Sequence, residues 1–319
     1  MTKLLLFAMA WLLLFAVTMV LIHEQLSQRE GKQPPDQTND HEPQDNDTAS
    51  SGFVALQVNG SLRASSWTRG IADLPVLSVE VGYTVRNVGN ASADIVAIEI
   101  SLDALYYSSK TVHDLMPRSA FTDSFVFSVD YDRSRTAKVE ARYATLTRSW
   151  NHTVYAELPR HPPRNLARLF VTPNEDTVEA ALSEMTADLG FIPVKWMAIR
   201  DWVGSNIQYA DDLDSHGAEE YWQLGKETLE QRMGDGEDLA VLLCSLLRAD
   251  GWSPESVYVV VGQNEEGEYH TWVKLKIPIV GWYNIDPQLD GWNTLVGDFM
   301  ALRGYQVVYN FNDQYFVEV

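Results

Sequence analysis

The chain has 319 residues, with 24 lysines and arginines against 44 aspartates and glutamates, a formal charge of −20 at pH 7. A chain this acidic does not grip nucleic acid or anionic headgroups through broad electrostatics, so no nucleic-acid partner is expected. Apolar residues at 45% suffice for real cores, and a single cysteine excludes both an intrachain disulfide framework and a multi-thiolate zinc site.

The chain reads as multidomain. From Leu4 to Ile22 it is apolar but for Thr18. As a helix this run spans roughly 28 Å, close to the hydrocarbon thickness of a bilayer. It lacks the small-residue cleavage site of a secretory signal, and Lys3 is the positive charge on its short side, so residues 1–23 are expected to be a transmembrane signal anchor. That implies a single-pass plasma-membrane protein whose C-terminal body lies outside the cytoplasm. Residues 24–52 are polar and acidic with almost no apolar side chains, and are expected to form a disordered tether.

From residue 53 to 160 the pattern changes to short alternating runs separated by turns. Strands are expected at Leu77 to Val85, Ile95 to Leu102, Phe121 to Val129 and Ala137 to Leu146, with a turn at Asn87 to Asn90, which argues for an all-β sandwich. The stretch Tyr83-Thr-Val-Arg-Asn-Val-Gly-Asn-Ala-Ser-Ala-Asp resembles the immunoglobulin-like adhesion modules of archaeal and bacterial surface proteins. Asn-X-Ser/Thr sequons at Asn46, Asn59, Asn90 and Asn151 fall in the tether and this domain, as on an exterior glycoprotein.

Residues 165–319 read as α+β: helices first, then antiparallel strands. Val178 to Leu189 carries one apolar stripe, Pro193 opens a second helix through Trp196, Ile199 and Val203, and Glu237 to Asp250 is apolar nearly all round and stops at Gly251. Strands are expected at Ser256 to Val261, Thr271 to Ile277, Gly281 to Ile285, Gln306 to Asn310 and Tyr315 to Val319.

Three pieces of this domain belong together: Arg232-Met-Gly-Asp-Gly-Glu-Asp-Leu-Ala-Val-Leu-Leu, Tyr269-His-Thr-Trp-Val-Lys-Leu and Gly281-Trp-Tyr-Asn-Ile-Asp-Pro. With Trp202-Val-Gly-Ser-Asn-Ile-Gln-Tyr and Glu227-Thr-Leu, they resemble the transglutaminase-like superfamily of papain-type fold over about residues 194–292. That resemblance implies a cysteine nucleophile at the start of the buried helix, a histidine base on the next strand and an aspartate that orients it. A helix N-terminus and a neighbouring imidazole both favour a thiolate. Matched residue by residue, the base is His270 and the orienting carboxylate Asp286. The nucleophile's position is Gly236, in Gly234-Asp-Gly-Glu-Asp238.

Glycine has no side chain to attack a carbonyl. Cys244 lies eight residues on, roughly 12 Å along the same helix, too far to share one base and in an apolar run that marks it as structural. What remains is the backbone N–H of Gly236 at a helix N-terminus, with a vestigial His270–Asp286 pair beside it. Trp272, Trp222 and Trp282 are candidates to line a peptide groove, Trp272 because period-two alternation puts it on the side of His270. No metal or cofactor is expected; Asp211-Asp-Leu-Asp-Ser-His216 lacks calcium-loop spacing. The implied function is that of an inactive homologue binding a peptide or protein in the former substrate cleft. Two alternatives stay open, an active cysteine-independent peptidase, amidase or acyltransferase, and a purely structural cell-surface module. After residue 160, 26 acidic side chains face 10 basic ones, so the cleft domain favours neutral or cationic partners.

Overall fold

The computed structural model describes residues 52–187, 195–288 and 304–319, and residues 52–319 form one compact unit. The expected anchor at residues 4–22, the tether up to residue 51 and Asn46 lie outside the described residues. Among those described, no helix is long and apolar enough to cross a membrane.

The first half is a seven-stranded sandwich. One sheet has the order β1 (Leu56–Arg69), β2 (Pro75–Asn87), β5 (Ala120–Asp130); the other has β4 (Leu105–Leu115), β3 (Ala93–Leu102), β6 (Ser134–Tyr143), β7 (Leu146–Tyr155). Alternation sets the core: Val79, Val81, Tyr83 and Val85 of β2 face Val96, Ile98 and Ile100 of β3 in one buried cluster. The turn after β2 is built by Asn87, whose Oδ1 accepts the Gly89 N–H at 3.0 Å and whose Nδ2 donates to Ala91 and Leu115 carbonyls. Gly89 is obligatory there, since a Cβ would lie 2.2 Å from the Phe53 carbonyl oxygen.

The expected strand over Ala137 to Leu146 is two strands, β6 and the start of β7, joined by a tight turn with Ala144 at φ +48°. Strands β1 and β4 lie beyond those expected. Asn59 on β1, Asn90 in the turn and Asn151 on β7 are all exposed.

The second half is an α+β layer. Helices α1 (Asp176–Thr186), α2 (Lys195–Asn206), α3 (Asp212–Ser215), α4 (Gly225–Gln231) and α5 (Gly236–Ala249) precede an antiparallel sheet. Its order is β12 (Gly281–Ile285), β11 (Tyr269–Ile277), β10 (Val257–Gln263), β13 (Gln306–Phe311), β14 (Phe316–Glu318). Helix α1 starts at Glu175, whose carboxylate accepts the Thr177 and Val178 N–H groups at 2.9 and 3.2 Å. Helix α5 is the centre: every residue from Asp238 to Leu247 is buried, between the other helices and strands β10 and β11. It ends where Gly251 takes φ +96°, and Arg248 in its last turn clamps Asp313 through two hydrogen bonds of 2.6 and 3.0 Å. Leu158, on the sandwich side of the expected boundary at residue 160, is buried in this second core.

A two-residue parallel pair, β8 (Gln208–Tyr209) with β9 (Met233–Gly234), ties the chain after α2 to the chain entering α5. The loop after β8 is held by Arg160. Its guanidinium gives Glu227 two hydrogen bonds of 2.6 and 3.0 Å, reaches Asp132 at 2.7 Å and lies over the Tyr221 ring; its carbonyl accepts the Trp222 N–H. Such a fork fits a carboxylate in a way a point charge does not. Replacing Arg160 with alanine strands Glu227 half-buried, so the variant is expected to lose about 2–4 kcal/mol in urea unfolding. Arg160→Lys recovers only part of that loss. An Arg160→Ala midpoint equal to the parent's would show that the fork holds nothing.

Candidate functional site

The N-terminus of α5 opens into a cleft of about 460 Å³. Gly236, the first helical residue, lies on its wall with His270, Trp222, Glu237, Gln288 and Tyr309. Helix and sheet packing bring this together: α5 runs under β11, and β11 delivers His270 near its first end.

Next to β11, β12 runs into Asp286. The imidazole Nε2 of His270 meets Asp286 Oδ2 at 3.0 Å, and the carboxylate is buried while the ring is half-buried. The other carboxylate oxygen accepts the Gln288 backbone N–H at 3.0 Å, which fixes the orientation of the aspartate. The structure therefore joins His270, Asp286 and Gly236 at one cleft. An oriented imidazole of this kind can accept a proton, yet no side chain at residue 236 can supply one.

The three tryptophans separate. Trp222 lines the cleft, its ring in contact with Phe170 and Phe311 behind. Trp272 is on the face of β11 expected for it, 6.3 Å from the His270 ring, but it is buried and outside the cleft wall. It covers Gly262, where a Cβ would meet its ring at 2.4 Å, and its Nε1–H donates to Asn284 at 3.1 Å. Trp272 thus backs the histidine, and Tyr305 adds a second ring 5.3 Å from His270. Trp282 shares the face but sits at the far end of the β11–β12 hairpin, half exposed between Lys274 and Lys276. Alternation settles a side chain's face and not its position along the strand.

Cys244 is fully buried on α5, away from the cleft wall, and burial pushes its thiol far above the usual range. This is a structural cysteine.

Sequence reasoning missed a group of carboxylates beside Gly236. Asp238 is buried and satisfied: its two oxygens accept the backbone and side-chain N–H groups of Gln223, each at 2.7 Å. Asp235 and Glu237 bond one another through their carboxyl groups, whereas Asp212 Oδ1 is buried without a hydrogen-bond partner. Asp212 arrives through the β8–β9 pair; its other oxygen accepts the Tyr221 N–H, and His216 Nδ1 stands 3.8 Å from Oδ1. Oxygens of Asp212, Glu220 and Glu237 lie within 4.8 Å of one another. Three oxygens so placed surround a point at no more than about 2.8 Å (4.8 Å divided by √3), a limit within which oxygen ligation of calcium at ~2.3–2.6 Å falls. These residues could hold a hard divalent cation. The signal in the sequence was the Asp211–His216 run, but nothing local pointed to Glu220 or Glu237 as its partners.

Burial raises the carboxyls of Asp212, Asp235, Glu237 and Asp238, with Asp235 pushed up to about 6 and Glu237 held well above the ordinary range by burial and by Asp235. A carboxyl whose folded pKa is raised contributes stability in full below its unfolded value near 4, and loses it as pH rises through 6. Asp235→Asn keeps an oxygen at the helix N-cap and removes the titration. It is expected to flatten the fall in unfolding free energy between pH 4 and 7 by about 1–3 kcal/mol. Parallel pH profiles for variant and parent would contradict the burial of this carboxyl.

Residues 181–287 match the family model described as the Transglutaminase-like superfamily. No curated protein matches the chain. Among solved structures, LapG of Legionella pneumophila is 18% identical with a TM-score of 0.36, over 49% of this chain and 86% of that one. The CARDB domain of the PF1109 protein from Pyrococcus furiosus is 14% identical with a TM-score of 0.27, over 34% of this chain and 96% of that one. These likenesses are low.

Proposed function

Proceeding from a transglutaminase-like domain at residues 181–287, we propose that this chain recognises a peptide or protein group non-covalently in the cleft at the start of α5. One observation carries the reading: an oriented His270–Asp286 pair faces a helix N-terminus whose first residue, Gly236, has no nucleophile. Acyl transfer through a covalent intermediate needs an attacking side chain within about 3 Å of its base. The helix N-terminus still suits a ligand carbonyl, and Trp222 supplies apolar surface. Glu220, Asp235 and Glu237 on the wall favour a neutral or cationic partner. The Leu4–Ile22 run supports a single-pass anchor in the plasma membrane with this body outside, and the exposed Asn59, Asn90 and Asn151 are compatible with that side.

Peptides selected from a random display library against the purified chain test the proposal by titration calorimetry. The expected result is reversible one-to-one binding that weakens at least tenfold in Trp222→Ala and leaves the peptide mass unchanged. A peptide that is cleaved or retained as an adduct, or that binds Trp222→Ala equally well, overturns the reading.

A second reading rests on the partnerless buried oxygen of Asp212, grouped with carboxylate oxygens of Glu220 and Glu237, which favours uptake of a hard divalent cation such as calcium beside the cleft. A cation at 100 times its Kd stabilises the fold by about 2.7 kcal/mol. Thermal melts in calcium chloride and in chelator are expected to differ by several degrees for the parent and not for Glu237→Gln. Coincident parental melts remove this reading.

A further inference from the structure

Gly236 leaves a space, and that space has an occupant. A Cβ built on Gly236 would lie 3.0 Å from Gln288 Nε2, a tight approach, with no other heavy atom within 4 Å among the described residues. Gln288 is half-buried and shares the cleft wall with Gly236 and His270. Its backbone is pinned, because its N–H donates to Asp286 Oδ1 at 3.0 Å, on the carboxylate that also holds the histidine. No hydrogen bond ties down its side-chain amide among the described residues. Among the described residues the carboxamide is therefore aimed at the start of α5 by a fixed backbone and held there by contact.

We propose that the Gln288 carboxamide is an internal occupant of the cleft centre, covering Gly236 in the volume a residue-236 side chain would use, and that it swings aside before any ligand reaches the helix N-terminus. The device needs a glycine at 236: a thiol there would compete with the amide for the same volume. It also needs an untethered amide, since one buried and hydrogen-bonded within the protein would resist displacement. Contact alone makes the cover removable by a ligand that brings its own polar group to the helix N-terminus. The proposal deepens the recognition reading of the same cleft, but its test uses no peptide ligand, so either can fail without the other.

The test places a reporter under the cover. Full-length Gly236→Cys, Gly236→Cys/Gln288→Ala and Gly236→Cys/Gln288→Met are treated with iodoacetamide, and alkylation is followed by intact mass. The parent reports on buried Cys244 and is expected to remain unmodified. Removing the carboxamide is expected to speed alkylation at least tenfold over the single variant, while methionine, of similar length, keeps it slow. Equal rates with and without Gln288, or no alkylation of either native protein while both react once unfolded, overturn the proposal. So does a fast methionine variant. Should Gly236→Cys not fold, deuterium exchange of the backbone amides from Gly236 to Asp238 in Gln288→Ala decides the matter. Exchange at least tenfold faster than in the parent supports the cover, and unchanged exchange overturns it.

Discussion

The structure depends on the burial of helix α5. It runs through the middle of the C-terminal layer with every side chain from Asp238 to Leu247 out of solvent. A helix surrounded in this way can be approached only at its ends, and its first turn is where unsatisfied N–H groups and the positive end of the dipole gather. One end is closed by the Arg248–Asp313 clamp. The other opens on the cleft. The helix terminus thus becomes the natural contact point for a ligand oxygen, and His270, Trp222 and Gln288 are arranged around it.

That terminus is more acidic than a site for an anion would be. Asp235, Glu237 and Asp238 sit on the first turn, where the dipole favours negative charge, while Asp212 and Glu220 come from the loop after β8. Gln223 satisfies Asp238, and the oxygens left over raise the local demand for a proton, a metal ion or a cationic group. An anionic ligand would meet these carboxylates before it met the helix terminus.

Much of this was legible in the sequence, and the gaps have physical causes. The strands expected in the sandwich include β2 and β3, whose inner faces alternate cleanly because both sheets bury them. The strands that escaped, β1, β4 and most of β7, are all at sheet edges and mostly exposed, so nothing imposes alternation on them. Gly236, His270 and Asp286 were readable because order and spacing survive in the sequence. The carboxylates were not, because a two-residue β8–β9 pair brings Asp212 to the helix from more than twenty residues upstream. Tyr305 and Gln288 escaped because they act through tertiary packing contacts that no periodicity encodes. Trp282 was placed on the correct face and at the wrong distance.

On the proposed function, the cleft handles a ligand without covalent chemistry. Ammonia release from glutamine-containing peptides, followed over hours by a coupled enzymatic assay with the full-length chain and with His270→Ala, tests it most directly. No release above the buffer rate is expected from either protein. Release by the parent that disappears in His270→Ala would contradict it, since it would mean that the His270–Asp286 pair is served by a nucleophile other than residue 236.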